Sequence, residues 1–592
     1  MKLLIPYIGA PDEADSRLLD LAAFLGIAWE GIPLPDATGF CVEPLEKAAS
    51  GGDSCFVVNP RVMARWMGGK QVPKEFAPFL VTRFSHLLVH AARPRPFDIA
   101  LVNALSGGRI RSIEECNGQP LSCGVSVAAR DICGEFAGLS FERTSVGCDR
   151  VFSLEDTSTA CNPILLGGLP LVTRLKWQMA EVLFLGGQDI AELRSEVGDR
   201  HLPDYFSSFV VPAMVLRYIF GENCWRPRKQ YASVIVDDPL LRRQYGFLNF
   251  AALLDLMKER SFHTAVAFIP HNYRRSSATV ARLLREHPRC FSLCFHGNDH
   301  TGGEFASTDA TLLNTMLGIA ERRMSLHRRL TGLECDRVMV FPQGKFSAAA
   351  MAVLKARHFD AAVNTVAHPV EMPAIPTLDE LAQPAILRYA GLPLFLRSGS
   401  ARLRPFEIAF QLFFGRPVFI VEHHDGFQHA DELLAAVSRI NDAAPNVRWV
   451  SPGAAASEAL LWRCLGNGAY SARAYSQTVR VSNESDSVLP LRIEWPHSGV
   501  EDLPVAATNG VSCRAFESST SATVATLDLP PGASTAVSIL VRNGYGRLKG
   551  LGARRIVKAV VRRRLSEFRD NHLSRRPSLL AAARALQKRL PS

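Results

Sequence analysis

Two short apolar runs organise the middle of the chain. Ala232-Ser233-Val234-Ile235-Val236 closes on Asp237-Asp238-Pro239, and Phe291-Ser292-Leu293-Cys294-Phe295 closes on His296-Gly297-Asn298-Asp299-His300. Runs of this length without polar alternation predict strands covered on both faces, each delivering polar side chains at its C-terminal end. Thr264–Pro270, Val338–Phe341, Ala361–Val363 and Val447–Val450 predict further strands, with helical patterns at Ser276–Glu286 and Ala454–Leu465. Strands alternating with helices imply a parallel α/β arrangement over 226–466. His368–Arg404 contains seven prolines or glycines and little periodicity, so it reads as a long insertion, a lid or binding loop.

On the N-terminal side, 1–225 carries candidate strands Leu3–Ile8, Cys55–Val58, His86–His90, Ile99–Val102 and Leu183–Gly187. Helical patterns occupy Ser16–Leu25 and Ile190–Val197. This alternation predicts a parallel, flavodoxin- or Rossmann-like α/β domain. Its Gly-Gly pairs form neither G-x-G-x-x-G nor a Walker loop, which argues against a nucleotide site. Residues 470–545 change to period-two alternation, as in Thr478–Ser482 and Leu491–Trp495, and predict a small Ig-like β-sandwich. Residues 546–592 form a basic tail in which Ile556, Val557, Val560, Val561 and Leu565 alternate with arginines as an amphipathic helix. The fold class is therefore multidomain α/β with a C-terminal β-sandwich and a basic helical tail.

Composition adds three points. No apolar run approaches the roughly 18–20 residues of a membrane span. The Met1–Ile8 segment, interrupted by Pro6 and followed by Asp12, Glu13 and Asp15, reads as a first strand rather than a secretion signal. Thirteen cysteines without paired spacing, Cys464 on a predicted helix among them, favour reduced thiols and a cytoplasmic location. The net charge of +10 is uneven: from Arg542 onward 15 Lys or Arg face only Glu567 and Asp570, which leaves the rest of the chain near −3. This charge suits an anionic membrane surface, with the protein peripheral at its inner face, or a helix docked on its own acidic body. Nucleic acid is not expected, because no stacking aromatics or nucleic-acid fold accompany the charge.

The chemistry lies at the strand ends. One carboxylate and two imidazoles suit a catalytic divalent ion, zinc by ligand type, because three protein ligands leave a position open. A neighbouring aspartate is then free to act as a base. Asn298 and Asp299, between the histidines, read as turn formers.

With the later Phe341-Pro342-Gln343-Gly344, these motifs resemble the first three of the NodB-type polysaccharide deacetylases, the carbohydrate esterase family 4-like group. The resemblance covers Tyr231 to Gly453, about two fifths of the chain. It implies a distorted (β/α) barrel, metal-dependent removal of acyl groups from sugars, Asp237 as base, and Asp238, His296 and His300 as metal ligands. Val340 stands where that family has an arginine orienting the base, and Gln343 where it has an aromatic. Phe359–Val363 offers no tryptophan. The family's last motif is matched by Val421-Glu422-His423-His424-Asp425, so His423 or His424 is the general acid, with Asp425 as its orienting carboxylate. Asn272, Tyr273, Glu304, Pro342 and Gln343 are candidate carbohydrate-binding residues. For Tyr273 the alternative is an ordinary βα loop, and for Glu304 a solvated loop position. The leading expectation is a carbohydrate deacylase. Glycoside hydrolysis on the same barrel and a non-catalytic carbohydrate-binding scaffold are the alternatives.

Overall fold

The computed structural model describes residues 1–36, 41–49, 53–69, 71–116, 120–143, 147–154, 161–198, 201–428, 430–496, 513–518, 522–539 and 553–573. The chain forms two compact units. One is Met1–Arg226 with Thr377–Asp379 and Trp462–Leu465; the other is Pro227–Pro376, Glu380–Leu461 and Gly466–Ser592.

The first unit holds β1 (Lys2–Tyr7), β2 (Trp29–Pro33), β3 (Ser54–Val58), β4 (His86–Val89), β5 (Ile110–Cys116), β6 (Leu121–Val125), β7 (Ser140–Arg143), β8 (Asp149–Leu154), β9 (Cys161–Leu166), β10 (Leu169–Trp177) and β11 (Ala180–Leu185). Nine of these make one sheet in the order β2-β1-β3-β4-β11-β10-β9-β6-β7, while β5 and β8 pair separately. The sheet is mixed rather than wholly parallel. It is parallel from β2 to β11 and antiparallel beyond.

Two local expectations in this unit are corrected. Ile99–Val102 lies in the helix Pro96–Leu105, because Asp98, Leu101, Val102 and Leu105 share one buried stripe at helical spacing. Ile190–Val197 is not helical: its side chains alternate between partly covered and exposed positions, and Glu196 bridges to Thr377.

In the second unit, after β12 (Arg226–Pro227), the strands β13 (Tyr231–Asp237), β16 (Thr264–Phe268), β17 (Phe291–His296), β18 (Asp336–Val340), β19 (Ala361–Asn364), β20 (Leu394–Gly399) and β21 (Val418–Glu422) close into a seven-stranded barrel. Every pairing is parallel, and closure runs from β21 through β13 to β16. All seven residues of β13 and all five of β16 are buried, as strands sandwiched between a barrel interior and surrounding helices require. The hairpin β14 (Gln244–Tyr245) and β15 (Leu248–Asn249) follows β13, and β22 (Arg448–Trp449) pairs with its first residues. Helices pack outside, and three of them begin on a side-chain cap: Asn249 accepts from Ala251 and Ala252, Asp309 from Thr311 and Leu312, and Ser347 from Ala350. Parallel closure brings the C-terminal ends of all seven strands to one mouth, which is where barrels of this kind assemble their sites.

His368–Arg404 is not one long insertion. It holds the helix Leu378–Leu381 and the barrel strand β20, a short apolar run set between glycines and prolines. The predicted helix Ala454–Leu465 ends at Glu458, because Leu460, Leu461 and Trp462 are buried in succession. The chain continues as β23 (Leu461–Gly466), which places Cys464 on a strand.

Beyond it, β24 (Ala469–Arg473), β26 (Leu489–Pro496), β28 (Ala522–Leu529) and β27 (Cys513–Ser518) pair in that order, and β25 (Thr478–Ser482) pairs with β29 (Ser534–Ser538). No helix among the described residues is long and apolar enough to cross a membrane, and the eleven cysteines whose side chains are described are all free.

Ile420 is fully buried on β21, between β20 and β13. Ile420→Ala is expected to cost about 2–5 kcal/mol, read from the denaturant midpoint. An unchanged midpoint would count against a barrel closed at this strand.

Candidate active site

Strand β13 ends in Asp237, and the chain then turns sharply: Asp238 has φ +73°, so its side chain leaves the strand direction and faces β17. Strand β17 ends in His296. Gly297 follows at φ +65°, where an added Cβ would strike Glu304 Oε1 and Pro342 Cγ, so only glycine fits between loop and brace. His300, itself at φ +57°, brings the second imidazole back beside the first.

One carboxylate fixes this loop. Glu304 accepts N–H bonds from Asn298 (2.9 Å), Asp299 (3.2 Å) and His300 (3.1 Å). Burial, followed by the charge of Asp299, raises the Glu304 pKa above its ordinary value. Glu304 is therefore neither a carbohydrate contact nor a solvated loop residue; it is a buried brace, 4% exposed. Asn298 and Asp299 are turn residues: Asn298 Oδ1 accepts from Arg323 (2.7 Å), and Asp299 Oδ1 accepts from the backbone N–H of Thr301 (3.1 Å).

Asp238, His296 and His300 converge, with one ligand atom from each lying within 4.8 Å of the others. Asp238 Oδ1 stands 3.3 Å from Nε2 of each histidine. That is the edge length of a tetrahedron with metal bonds of about 2.0–2.1 Å. The same oxygen is buried and has no hydrogen-bond partner, as a ligand atom would be before metal enters. His296 Nδ1 lies 3.0 Å from the carbonyl oxygen of Val340. A carbonyl only accepts, so Nδ1 carries the proton and Nε2 presents its lone pair to the centre. Burial lowers the His300 pKa to about 4 and leaves its ring neutral. Burial acts upward on Asp238, but His296, His300 and Arg563 outweigh it and hold the carboxyl well below its usual range. The donor set fits a divalent ion.

Beside this cluster, Asp237 forms a buried two-point pair with Arg397 of β20, at 2.6 Å (Oδ1–Nη1) and 2.7 Å (Oδ2–Nη2). Burial alone would raise the Asp237 pKa; Arg397 and His296 reverse that and lower it. Arg397 comes from a strand that sequence reading took for part of an insertion.

The two adjacent histidines separate. His423 Nε2 lies 4.0 Å from Asp237 Oδ2 and its side chain is 55% exposed. His424 is buried, with Nε2 3.4 Å from Asp570 Oδ1 and its ring edge-on to Tyr245. The carboxylate beside His424 is thus Asp570, not the expected Asp425.

The remaining candidates distribute as follows. Asn272 is fully buried and its Nδ2 has no partner. Tyr273 stands beside the helix Ala278–Glu286. It carries the Arg274 guanidinium 5.1 Å from its ring centroid and lines a groove of about 490 Å³ between the helices Ala278–Glu286 and Ala310–Thr331. Pro342 is buried against Gly297 and supports the loop, while Gln343 is exposed at φ +59°.

The tail contributes what sequence reading did not anticipate. The helix Ala553–Phe568 turns its charged side, not its apolar side, to the barrel: Arg563 and Glu567 are buried, while Val557, Val560, Val561, Leu565 and Phe568 are exposed. The docked-helix reading describes this placement, with the polarity of the helix reversed.

No family model matches the chain, and no curated protein matches it. Among solved structures, Agd3, described as a novel carbohydrate deacetylase, is similar over 91% of this chain and 98% of its own, at 10% identity and a TM-score of 0.47. A putative polysaccharide deacetylase from Mycobacterium smegmatis covers 39% of this chain and 90% of its own, at 12% identity and a TM-score of 0.28. A family 4 carbohydrate esterase from Streptomyces lividans covers 38% of this chain and 92% of its own, at 11% identity and a TM-score of 0.23. The chain resembles a divergent NodB-type deacetylase. The residues that carry this resemblance are Asp237, Asp238, His296 and His300.

Arg397→Met should leave Asp237 buried without its cation and cost about 3–5 kcal/mol of stability. Because the pair depresses the Asp237 pKa, its contribution is complete above about pH 4 and is lost as pH falls through the lower folded value. In the variant the acidic limb of any pH–rate profile should move upward, because the cation that holds the Asp237 pKa down is gone; an unmoved limb would separate Arg397 from the group that titrates. Glu304→Ala strips three N–H groups of their acceptor. It should lower metal content along with the unfolding midpoint, and full metal content would show that the loop holds its shape unbraced.

Proposed function

We propose that the barrel is a metal-dependent hydrolase that removes acyl groups, acetyl in the simplest case, from a carbohydrate. The observation that carries this reading is the meeting of Asp238, His296 and His300 beside an Asp237 that is buried yet held ionised by Arg397. A divalent ion on those three ligands, zinc by the nature of the donors, would supply Lewis acidity for the acyl carbonyl and for water.

The chain's own groups do the rest. Asp237 accepts the proton of the attacking water, and Arg397 fixes the direction of its two oxygens. His423, within 4.0 Å of that carboxylate and open to solvent, is placed to return a proton to the departing amine or hydroxyl. His424, turned to Asp570, is not the acid in this scheme. Exposed Gln343 is left on the substrate side, whereas Glu304 and Pro342 support the loop from beneath. The Asp237–Arg397 pair supports the enzymatic reading over a non-catalytic binding scaffold.

Three measurements on the full chain test the reading. Elemental analysis should find about one equivalent of zinc or a similar ion in the wild type. His296→Ala, His300→Ala and Asp238→Asn should lose it while the fold survives. Asp237→Asn should keep the metal and lose acetate release from acetylated amino sugars or sugar esters by about 100-fold or more. Equal metal in wild type and ligand variants would refute the site. New reducing ends without acetate would assign the barrel to glycoside hydrolysis instead.

A further inference from the structure

The barrel mouth includes a segment from the far end of the chain. Arg563 Nη2 donates to the backbone oxygen of Asp238 at 2.8 Å. The hydroxyl of Tyr245 donates to Asp570 Oδ2 at 2.7 Å, and the backbone N–H of Gly246 donates to Asn571 Oδ1 at 3.0 Å. These three bonds hold both ends of the stretch from Asp238 to Gly246, which leaves the proposed metal ligand and turns back along the rim. Arg562 lies against the other ligand-bearing loop, where a Cβ on Gly302 would meet its Nη1 at 2.7 Å. Arg275 pairs with Glu567 at 2.7 Å and adds a fourth point of attachment. One helical turn thus touches the loops that carry Asp238 and His300.

Two features separate this from ordinary docking of a terminal helix. Among the described side chains apolar burial does not hold the helix, since Val557, Val561, Leu565 and Phe568 face solvent. Its attachment consists of charged and polar bonds, and these concentrate on the residues next to a ligand in left-handed backbone. Asp238, at φ +73°, occupies left-handed backbone, which is strained for a residue with a side chain. The surroundings have to hold it there. Arg563 is 4% exposed, and a guanidinium buried to that extent needs partners that repay its desolvation. The partners it has are the Asp238 carbonyl and, at 3.4 Å, the Tyr245 hydroxyl.

We propose that the C-terminal segment, through Arg563, Asp570 and Asn571, is a positioning element of the metal centre. It holds the Asp238 backbone so that the carboxylate meets both imidazoles. This rests on the reading of Asp238, His296 and His300 as a metal site, and it assigns to the tail a role in metal affinity rather than in catalysis itself. Arg563 is a positioning residue, acting through Asp238.

The test measures the zinc dissociation constant of the full chain by competition with a chelator, beside the unfolding midpoint of the metal-free protein. Arg563→Ala should weaken zinc binding about 10- to 100-fold, the usual effect of removing a group that orients a ligand. Guanidinium ion at sub-denaturing concentration should restore the affinity. Asn571→Ala and Asp570→Asn should weaken it less, and they carry the test if Arg563→Ala does not fold. A wild type that binds no zinc overturns the metal site and this proposal together. A wild type that binds zinc, with variants that match its affinity, overturns the positioning role alone. Variants that bind zinc equally well but release acetate faster would make the segment a removable cap, which also overturns the proposal.

Discussion

A carboxylate stays ionised in the dry mouth of a closed barrel only when a cation is held against it, and the Asp237–Arg397 pair meets that constraint here. Both side chains are almost wholly buried. Removing either charge from water costs several kcal/mol, which two aligned N–H···O bonds offset. The partners come from β13 and β20, which are separated in the sheet by β21. The pair therefore spans the seam where the barrel closes, and barrel geometry and the charge state of Asp237 depend on one another.

The loop from His296 to Glu304 answers a related problem by other means. Three backbone N–H groups that the turn leaves without sheet partners are collected by a single carboxylate. Gly297 supplies the left-handed step that brings them together. The His296 tautomer follows from the Val340 carbonyl, so the residue that departs from the family pattern in its side chain still does its work through its backbone. Ligand geometry here is a property of backbone polar groups as much as of the ligands.

Much of the site was legible because it lies at the ends of strongly apolar strands, where period and polarity change abruptly. Asp237, Asp238, His296 and His300 announce themselves in this way. Arg397 did not, because β20 is a brief apolar run flanked by glycine and proline, and composition outweighed pattern in His368–Arg404. Glu304 was seen but misjudged: a glutamate four residues past a histidine carries no sign that three N–H groups will surround it. The tail helix was legible as amphipathic, yet which face it would bury was not, since hydrophobic periodicity assumes that apolar area decides the docking. Here ionic and hydrogen-bonding partners on the barrel rim decide it. In the first unit, Ile99–Val102 shows the ordinary ambiguity of a four-residue apolar run, which helix and strand share equally.

The contacts between Tyr245 and Asp570 and between Asp238 and Arg563 each span 325 residues. During synthesis the seven barrel strands, complete at Glu422, emerge well before the residues that close over their rim. The barrel can therefore assemble and pack while its mouth is still bare. Only after the helix Ala553–Phe568 has been made can it reach back to the loop that follows the first barrel strand. The final step in building this rim is thus a late, long-range closure that follows the folding of the barrel beneath it.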